Sequence, residues 1–289
     1  MYSFKKKQLP KKTIEFSISI PWKDIEKEYD GSFETLRKEV KAEGFRKGKV
    51  PKNIAEKKIQ KGEVYDHLLQ TFVSKIYSEI LKKEEIKSII SPKVELKNAK
   101  EHEDWELVMT TAEAPEIVLG DYKAKVKKAV DEAKKGDIWV PGKDAEPSKE
   151  DKEKQESTVF QAKLSAILDE AKAEISDLIV DEEVTKKLAK LVDDVQKIGL
   201  TMESYLSSRN TTQEKLKSQM QKEIEEAYKM EFVLQKIADD AKIQVEKEDI
   251  EKLLASLKDP KDREAAQQNM YYYASLMRKQ KTLDYINSL

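Results

Sequence analysis

Gly44-Phe45-Arg46-Lys47-Gly48-Lys49-Val50-Pro51 separates two helical patterns and organises the front of this chain. Two glycines and a proline in eight residues exclude regular structure there. Such a segment reads as a turn that carries an aromatic and three cations. On its N-terminal side Trp22, Ile25, Tyr29, Phe33, Leu36 and Val40 recur at three-and-four spacing. That spacing predicts an amphipathic helix of about six turns, stopped by Gly44 as a C-cap. On the other side Val64, Leu68, Leu69, Phe72, Val73, Ile76, Tyr77, Ile80 and Leu81 predict a second helix.

Further out the period changes from 3.6 to two. Ile14, Phe16, Ile18 and Ile20 alternate with Glu15, Ser17 and Ser19, the pattern of a half-buried strand. Pro21 ends that strand and opens the helix. Pro92–Leu96 and Trp105–Ala112 read as two more strands. Strand, helix, loop, helix, strand, strand makes an α+β domain over residues 1–115.

Residues 116–135 lead out of it. A linker is expected at 136–157, which holds Pro141, Gly142 and Pro147, an isolated Trp139, and a charge run from Lys149 to Glu156. Ser148 and Asp151 have capping-box spacing, so a helix start inside the linker is open. From Thr158 the patterns are helical throughout. Asp181 and Gly199 bracket one helix, and Thr211-Thr212-Gln213-Glu214 caps a long one. Ile250, Leu253, Leu254 and Leu257 mark a short one, and Asp259-Pro260 opens another element. Residues 116–289 are thus expected to form a linker and an all-α C-terminal domain. Neither a sustained heptad nor a 20–50-residue repeat is present, which disfavours a coiled-coil rod or a solenoid.

Composition agrees with long exposed helices. Of 289 residues, 38% are hydrophobic and 38% charged, with only eight Gly and eight Pro; the usual charged share is about a quarter. Absence of cysteine excludes disulfides and thiol chemistry and is compatible with a reducing cytosol. No apolar run reaches the length of a membrane span, and no apolar stretch follows the basic N-terminus, so a soluble cytoplasmic protein is expected. Residues 1–60 hold 16 Lys/Arg against 9 Asp/Glu, whereas the other 229 hold 39 against 47. A basic front fits an anionic partner, though composition alone favours a solvated lysine-rich terminus.

Catalytic chemistry is hard to find. His67 and His102 are the only histidines, and neither has a His or Cys partner at ligand spacing, so no metal is expected. Asp193-Asp194 and Asp239-Asp240 read as solvated helix positions. Neither a phosphate-cradling glycine loop nor a nucleophile elbow appears. No catalytic residue and no cofactor are assigned.

The segment from Gly44 to Pro51 resembles the ribosome-docking signature of the trigger factor family. Thr13-Ile14-Glu15-Phe16, Ile198-Gly199-Leu200-Thr201, Tyr205-Leu206 and the helix from Thr212 to Ala241 resemble the family too. The resemblance implies an α+β ribosome-docking domain followed by an elongated helical body with arms. It also implies an ATP-independent chaperone of nascent or unfolded polypeptides, in a family associated with protein transport and cell division. The loop would dock on a large-subunit protein and ribosomal RNA beside the exit tunnel. Gly44 and Gly48 would permit the turns, Phe45 would anchor, Arg46 would pair with a carboxylate, Lys47 and Lys49 would attract phosphates, and Pro51 would close the loop. Met202, Tyr205, Leu206, Met270, Tyr271 and Tyr273 are the candidates for a cradle that binds clients, although Met and Tyr at helical spacing are more often core.

One departure from the family stands out. Ile138-Trp139-Val140-Pro141 resembles the point after which the family inserts an isomerase domain, yet the helical pattern resumes within twenty residues. No prolyl isomerase activity is therefore expected. An RNA-binding module without chaperone activity and a residual isomerase remain as alternatives, and a homodimer is left open.

Overall fold

The computed structural model describes residues 2–135, 149–256 and 259–289. They fall into two compact units. The first comprises residues up to Ala114 together with Ser176–Ile179, and the second comprises Pro115–Ile175 and Val180–Leu289.

The first unit is built on a four-stranded antiparallel sheet ordered β1-β2-β4-β3. Its strands are β1 (Ser3–Leu9), β2 (Thr13–Ile20), β3 (Lys93–Asn98) and β4 (Trp105–Ala112). The alternation in β2 sends Ile14, Phe16, Ile18 and Ile20 into the core. Phe16 registers with Met109 and Ile18 with Leu107 on β4. Helices α1 (Trp22–Arg37), α2 (Lys52–Ala55), α3 (Lys61–Leu68) and α4 (Ser74–Lys83) complete the unit. Ile25, Leu68, Ile76 and Ile80 pack onto the strand row and form one core with it. The loss of this apolar area from water is the main term holding the unit together.

Four details differ from the sequence reading. The basic front is a strand: Ser3 to Leu9 pairs along β2, with Phe4 packed edge-on against Phe16 at 6.0 Å. Lysines on an outer strand suit an edge, because charge discourages pairing with other chains. Helix α1 stops at Arg37, seven residues before Gly44. The second helical pattern contains a π turn at Leu69–Val73 between α3 and α4. There the Thr71 hydroxyl donates to the His67 carbonyl at 2.8 Å and the Ser74 hydroxyl to Gln70 at 2.6 Å, bonds that compete with the regular ladder. A short α2 follows the loop where none was expected.

The second unit is mostly helical. It holds α5 (Tyr122–Lys135), α6 (Lys149–Glu170), α7 (Asp177–Lys197) from Val180 onward, α8 (Met202–Ser208), α9 (Gln213–Asp240), α10 (Lys247–Ser256), α11 (Pro260–Gln268) and α12 (Met270–Ser288). The expectation of an all-α domain needs one correction, since β5 (Ile117–Val118) and β6 (Lys172–Ala173) form a two-stranded antiparallel ladder. Strands of two residues are too short to show a period. Its core gathers Val126 on α5, Ile167 on α6, Val233, Leu234 and Ile237 on α9, and Ile286 on α12. Gly120 closes the turn after β5 at φ +61°, where a Cβ would stand 2.6 Å from a Glu170 carboxylate oxygen. Lys163 is buried and donates to the Asn287 carbonyl at 2.6 Å, which satisfies the end of α12.

Residues 149–157 of the expected linker are helical, because α6 starts at Lys149. Gly136 to Ser148, with Trp139 and the Ile138–Pro141 stretch, lies outside the described residues, as does Leu257. Thr212 rather than Thr211 caps α9: its hydroxyl accepts from the Lys215 amide at 3.3 Å. Asp259 caps α11, with Pro260 in the first turn. Asn269 separates α11 from the final helix α12.

Candidate docking loop and apolar surfaces

The segment from Ala42 to Lys49 folds as two tight turns in succession. The Phe45 amide donates to the Ala42 carbonyl at 3.1 Å, and the Lys49 amide donates to the Arg46 carbonyl at 2.9 Å. Glycine stands at the third position of each turn, Gly44 at φ +79° and Gly48 at φ +83°. That region strains any residue with a Cβ, which explains two glycines four residues apart.

The base of the loop is fixed. Val50 is buried with Phe33, Ala55, Ile59 and Val64, and Ala42, Val40 and Leu36 pack beside them. The Arg37 guanidinium donates to the Val50 carbonyl at 3.0 Å and to the Glu34 carboxylate at 2.6 Å. Lys58 donates to the Lys41 carbonyl at 3.2 Å from the other side. The tip is open: Arg46, Lys47 and Lys49 are exposed, and Phe45 keeps 41% of its surface in water. Pro51 is half-buried and precedes α2. Six of the seven loop residues singled out from the sequence therefore share one double turn on a packed base, and the seventh, Pro51, leads from it into α2.

Below α3 an aromatic and ionic brace holds the neighbouring wall. Tyr65 lies 4.8 Å from Tyr29 and 5.7 Å from Trp105, ring to ring. Lys61 pairs with Glu101 at 3.0 Å, a contact that raises the lysine and lowers the carboxyl from their ordinary pKa values. Burial, with the Glu101 charge added, pushes the Tyr65 phenol up to about 12.

The cradle candidates lie on two helices of the second unit. Met202, Tyr205 and Leu206 are half-buried on α8, a helix without a fully buried residue, and the Arg209 guanidinium covers the Tyr205 ring at 5.3 Å. Met270 and Tyr271 are exposed at the start of α12, Tyr271 to 91%, and Tyr273 is half-buried. A cavity of about 480 Å³ opens beside Tyr271, with Leu234, Ala238, Val245 and Ala274 in its wall. Sequence reasoning missed Ile198 and Leu200, both exposed next to α8, and Tyr272 and Leu276 on α12. Apolar residues flanking Gly199 at a helix end were the available signal.

Other chemistry is sparse. Among the described residues there is no group of three or more His, Cys, Asp or Glu able to hold a metal, and no helix long and apolar enough to cross a membrane. His102 sits at φ +65° with its ring 5.1 Å from Trp22, and His67 lies half-buried on α3.

Comparison with known proteins gives a consistent result. Residues 2–139 match the family model for the bacterial trigger factor protein, and residues 145–286 match the model for its C-terminus. Only residues 140–144 lie between the two matches, too few for a domain. The trigger factor of Limosilactobacillus fermentum is 30% identical over 174 residues, covering 60% of this chain and 37% of the relative. That of Streptococcus mutans is 30% identical over 132 residues, 46% of this chain and 30% of the relative. That of Corynebacterium jeikeium is 32% identical over 111 residues, 37% and 20% respectively. The chain thus spans between 20% and 37% of the length of these curated relatives. A solved structure reported for promiscuous substrate recognition in folding and assembly by the trigger factor chaperone shares the fold, with a TM-score of 0.59 at 16% identity. That alignment covers 98% of this chain and 99% of the solved one. With both family models matched in order along nearly the whole chain, the protein belongs to the trigger factor family.

Proposed function

We propose that this protein is an ATP-independent chaperone of the cytoplasm. It docks on the large ribosomal subunit beside the exit tunnel and shields nascent or unfolded polypeptides, without prolyl isomerase activity. The observation that carries this reading is the double turn at residues 42–49, which holds Phe45, Arg46, Lys47 and Lys49 out in water on a buried base. A rigid loop loses little entropy on binding, so an aromatic anchor and a planar guanidinium can be spent on the partner. Lys47 and Lys49 add salt-dependent attraction to RNA phosphates. Exposed apolar side chains on α12, with half-buried ones on α8 and the exposed Ile198 and Leu200 before it, give weak, broad contacts for clients, and they need no nucleotide to release them.

The test combines two assays on the full chain. Aggregation of an unfolded client is followed by light scattering without nucleotide, and isomerisation of a short prolyl peptide is followed in parallel. Suppressed aggregation with no acceleration of isomerisation is the expected pair of results. Aggregation that proceeds as fast as in buffer would overturn the chaperone reading, and accelerated isomerisation would overturn the non-enzyme reading.

A further inference from the structure

The first unit carries an apolar groove that the docking loop does not use. In the sheet, one side-chain row runs Phe16, Met109, Val94 and the next runs Ile18, Leu107, Leu96. Phe16, Met109, Ile18 and Leu107 are buried to 2% exposure or less, yet Val94 keeps 39% and Leu96 44%. The helical layer covers β2 and β4 and stops short of β3. The uncovered strip becomes a groove of about 890 Å³, with Leu69, Val73, Tyr77 and Leu81 along one wall. Ile89, exposed to 42%, and Pro92 close the other wall. That volume lies within the range of sites that hold a ligand, roughly 300–1,000 Å³.

Three features specify the occupant. The lining contains no charged residue, in a chain with 38% charged residues. The charges of β3 are on its opposite face, where Glu95 pairs with Lys93 at 3.1 Å and with Lys97 at 2.9 Å. Most hydroxyls in the groove already have partners: Tyr77 with Thr111 at 2.7 Å, Ser88 with Thr111 at 2.6 Å, Ser74 to the Gln70 carbonyl at 2.6 Å and Ser78 to the Ser74 carbonyl at 2.9 Å. Such a surface rejects charge and favours an apolar ligand. Third, β3 is the end of the sheet, so its outer main-chain groups are unpaired beside the groove. An extended chain laid there gains main-chain hydrogen bonds, while alternate side chains enter the apolar strip. Over the six residues of β3 the match is about 20 Å long.

We infer that this groove binds an extended, uncharged apolar segment of an unfolded polypeptide by strand addition to β3, a client site within the docking unit itself. The inference rests on the chaperone reading and places part of client capture in the same unit as the loop. The probe is a fluorescein-labelled peptide of alternating Val and Thr, read by fluorescence anisotropy with the full chain. Leu96→Glu and Ile89→Glu should each weaken binding about tenfold or more, because a charge is then forced against the apolar strip. The same peptide with alternate amides N-methylated should bind similarly weakly, whereas the Phe45, Arg46 and Lys47 triple alanine variant should bind it normally. Ile89 lies outside every strand, so its variant stays informative where Leu96→Glu perturbs the sheet. Unchanged peptide affinity in Ile89→Glu, with aggregation suppression intact, would overturn the groove and leave the chaperone reading standing. Loss of a dimer in Leu96→Glu without a change in peptide binding would assign the strip to self-association instead. A wild-type chain that neither binds the peptide nor suppresses aggregation would sink both readings.

Discussion

Val50→Ala tests whether the loop is held as described. Val50 is fully buried among Phe33, Ala55, Ile59 and Val64. Truncation removes two carbons from that cluster, at about 0.8 kcal/mol each, and leaves a small cavity, so the first unit should lose about 2 kcal/mol. The bond from the Arg37 guanidinium to the Val50 carbonyl is independent of the Val50 side chain and should persist. Urea unfolding followed by tryptophan fluorescence is the assay. A Trp139→Phe background leaves Trp22 and Trp105 as reporters, both in the first unit. With a slope of roughly 2 kcal/mol per molar urea, the midpoint should fall by about 1 M. Lys49→Ala, an exposed neighbour, should move stability by no more than about 0.5 kcal/mol. A Val50→Ala midpoint indistinguishable from that of Lys49→Ala would refute the idea that a packed base presents the tip.

Gly48→Ala should cost about 1–2 kcal/mol through its left-handed backbone alone, since the nearest neighbour of a new Cβ, the Lys38 carbonyl, is at an ordinary 3.6 Å; Gly48→Asn, better tolerated at positive φ, should recover part of the loss in the same unfolding assay. The Tyr65 and Tyr2 phenols, both held near 12, should give a late phase of phenolate absorbance. Their raised values favour the folded state fully below pH 10, so stability should drain away between pH 10 and 12, and Tyr65→Phe should flatten that fall. Tyr271→Ala should leave stability within about 0.5 kcal/mol, because the ring is 91% exposed, yet it should weaken suppression of client aggregation as read by light scattering.

Much of the first unit was legible because its signals are strong and local. Period two in β2 and β4 and the apolar stripe of α3 and α4 each bury a face, so pattern and packing agree. The missed elements lack such a signal. β1 is hidden by its lysines, whose solvated side chains mask a strand that one neighbour and the Phe4–Phe16 contact stabilise. Val40 continues the α1 stripe, yet the chain leaves the helix at Lys38 and Val40 packs against the loop cluster instead. A tertiary contact overrode the period there. β5 and β6 exist only as each other's partner, across more than fifty residues of sequence.

At the candidate site the turn itself was readable, since two glycines, a proline and an aromatic amid cations leave few conformations, but not where it starts, because the helix before it ends at Arg37. What the sequence could not disclose was Val50 as its anchor, because one apolar residue in a turn carries no period. The exposure of Met270 and Tyr271 on α12 was equally hidden, because core and surface Met or Tyr share the same spacing. The open groove at β3 depends on where the helical layer stops, a property of the assembled sheet that Val94 and Leu96 do not announce.

Sedimentation of ribosomes with the full chain, comparing wild type with the Phe45→Ala, Arg46→Ala, Lys47→Ala triple variant, bears on the central claim most directly. The wild-type protein should pellet with the large subunit, and the triple variant, folded as judged by its unchanged tryptophan unfolding curve, should remain in the supernatant. A folded triple variant that pellets as fully as the wild type would contradict the docking role of the loop.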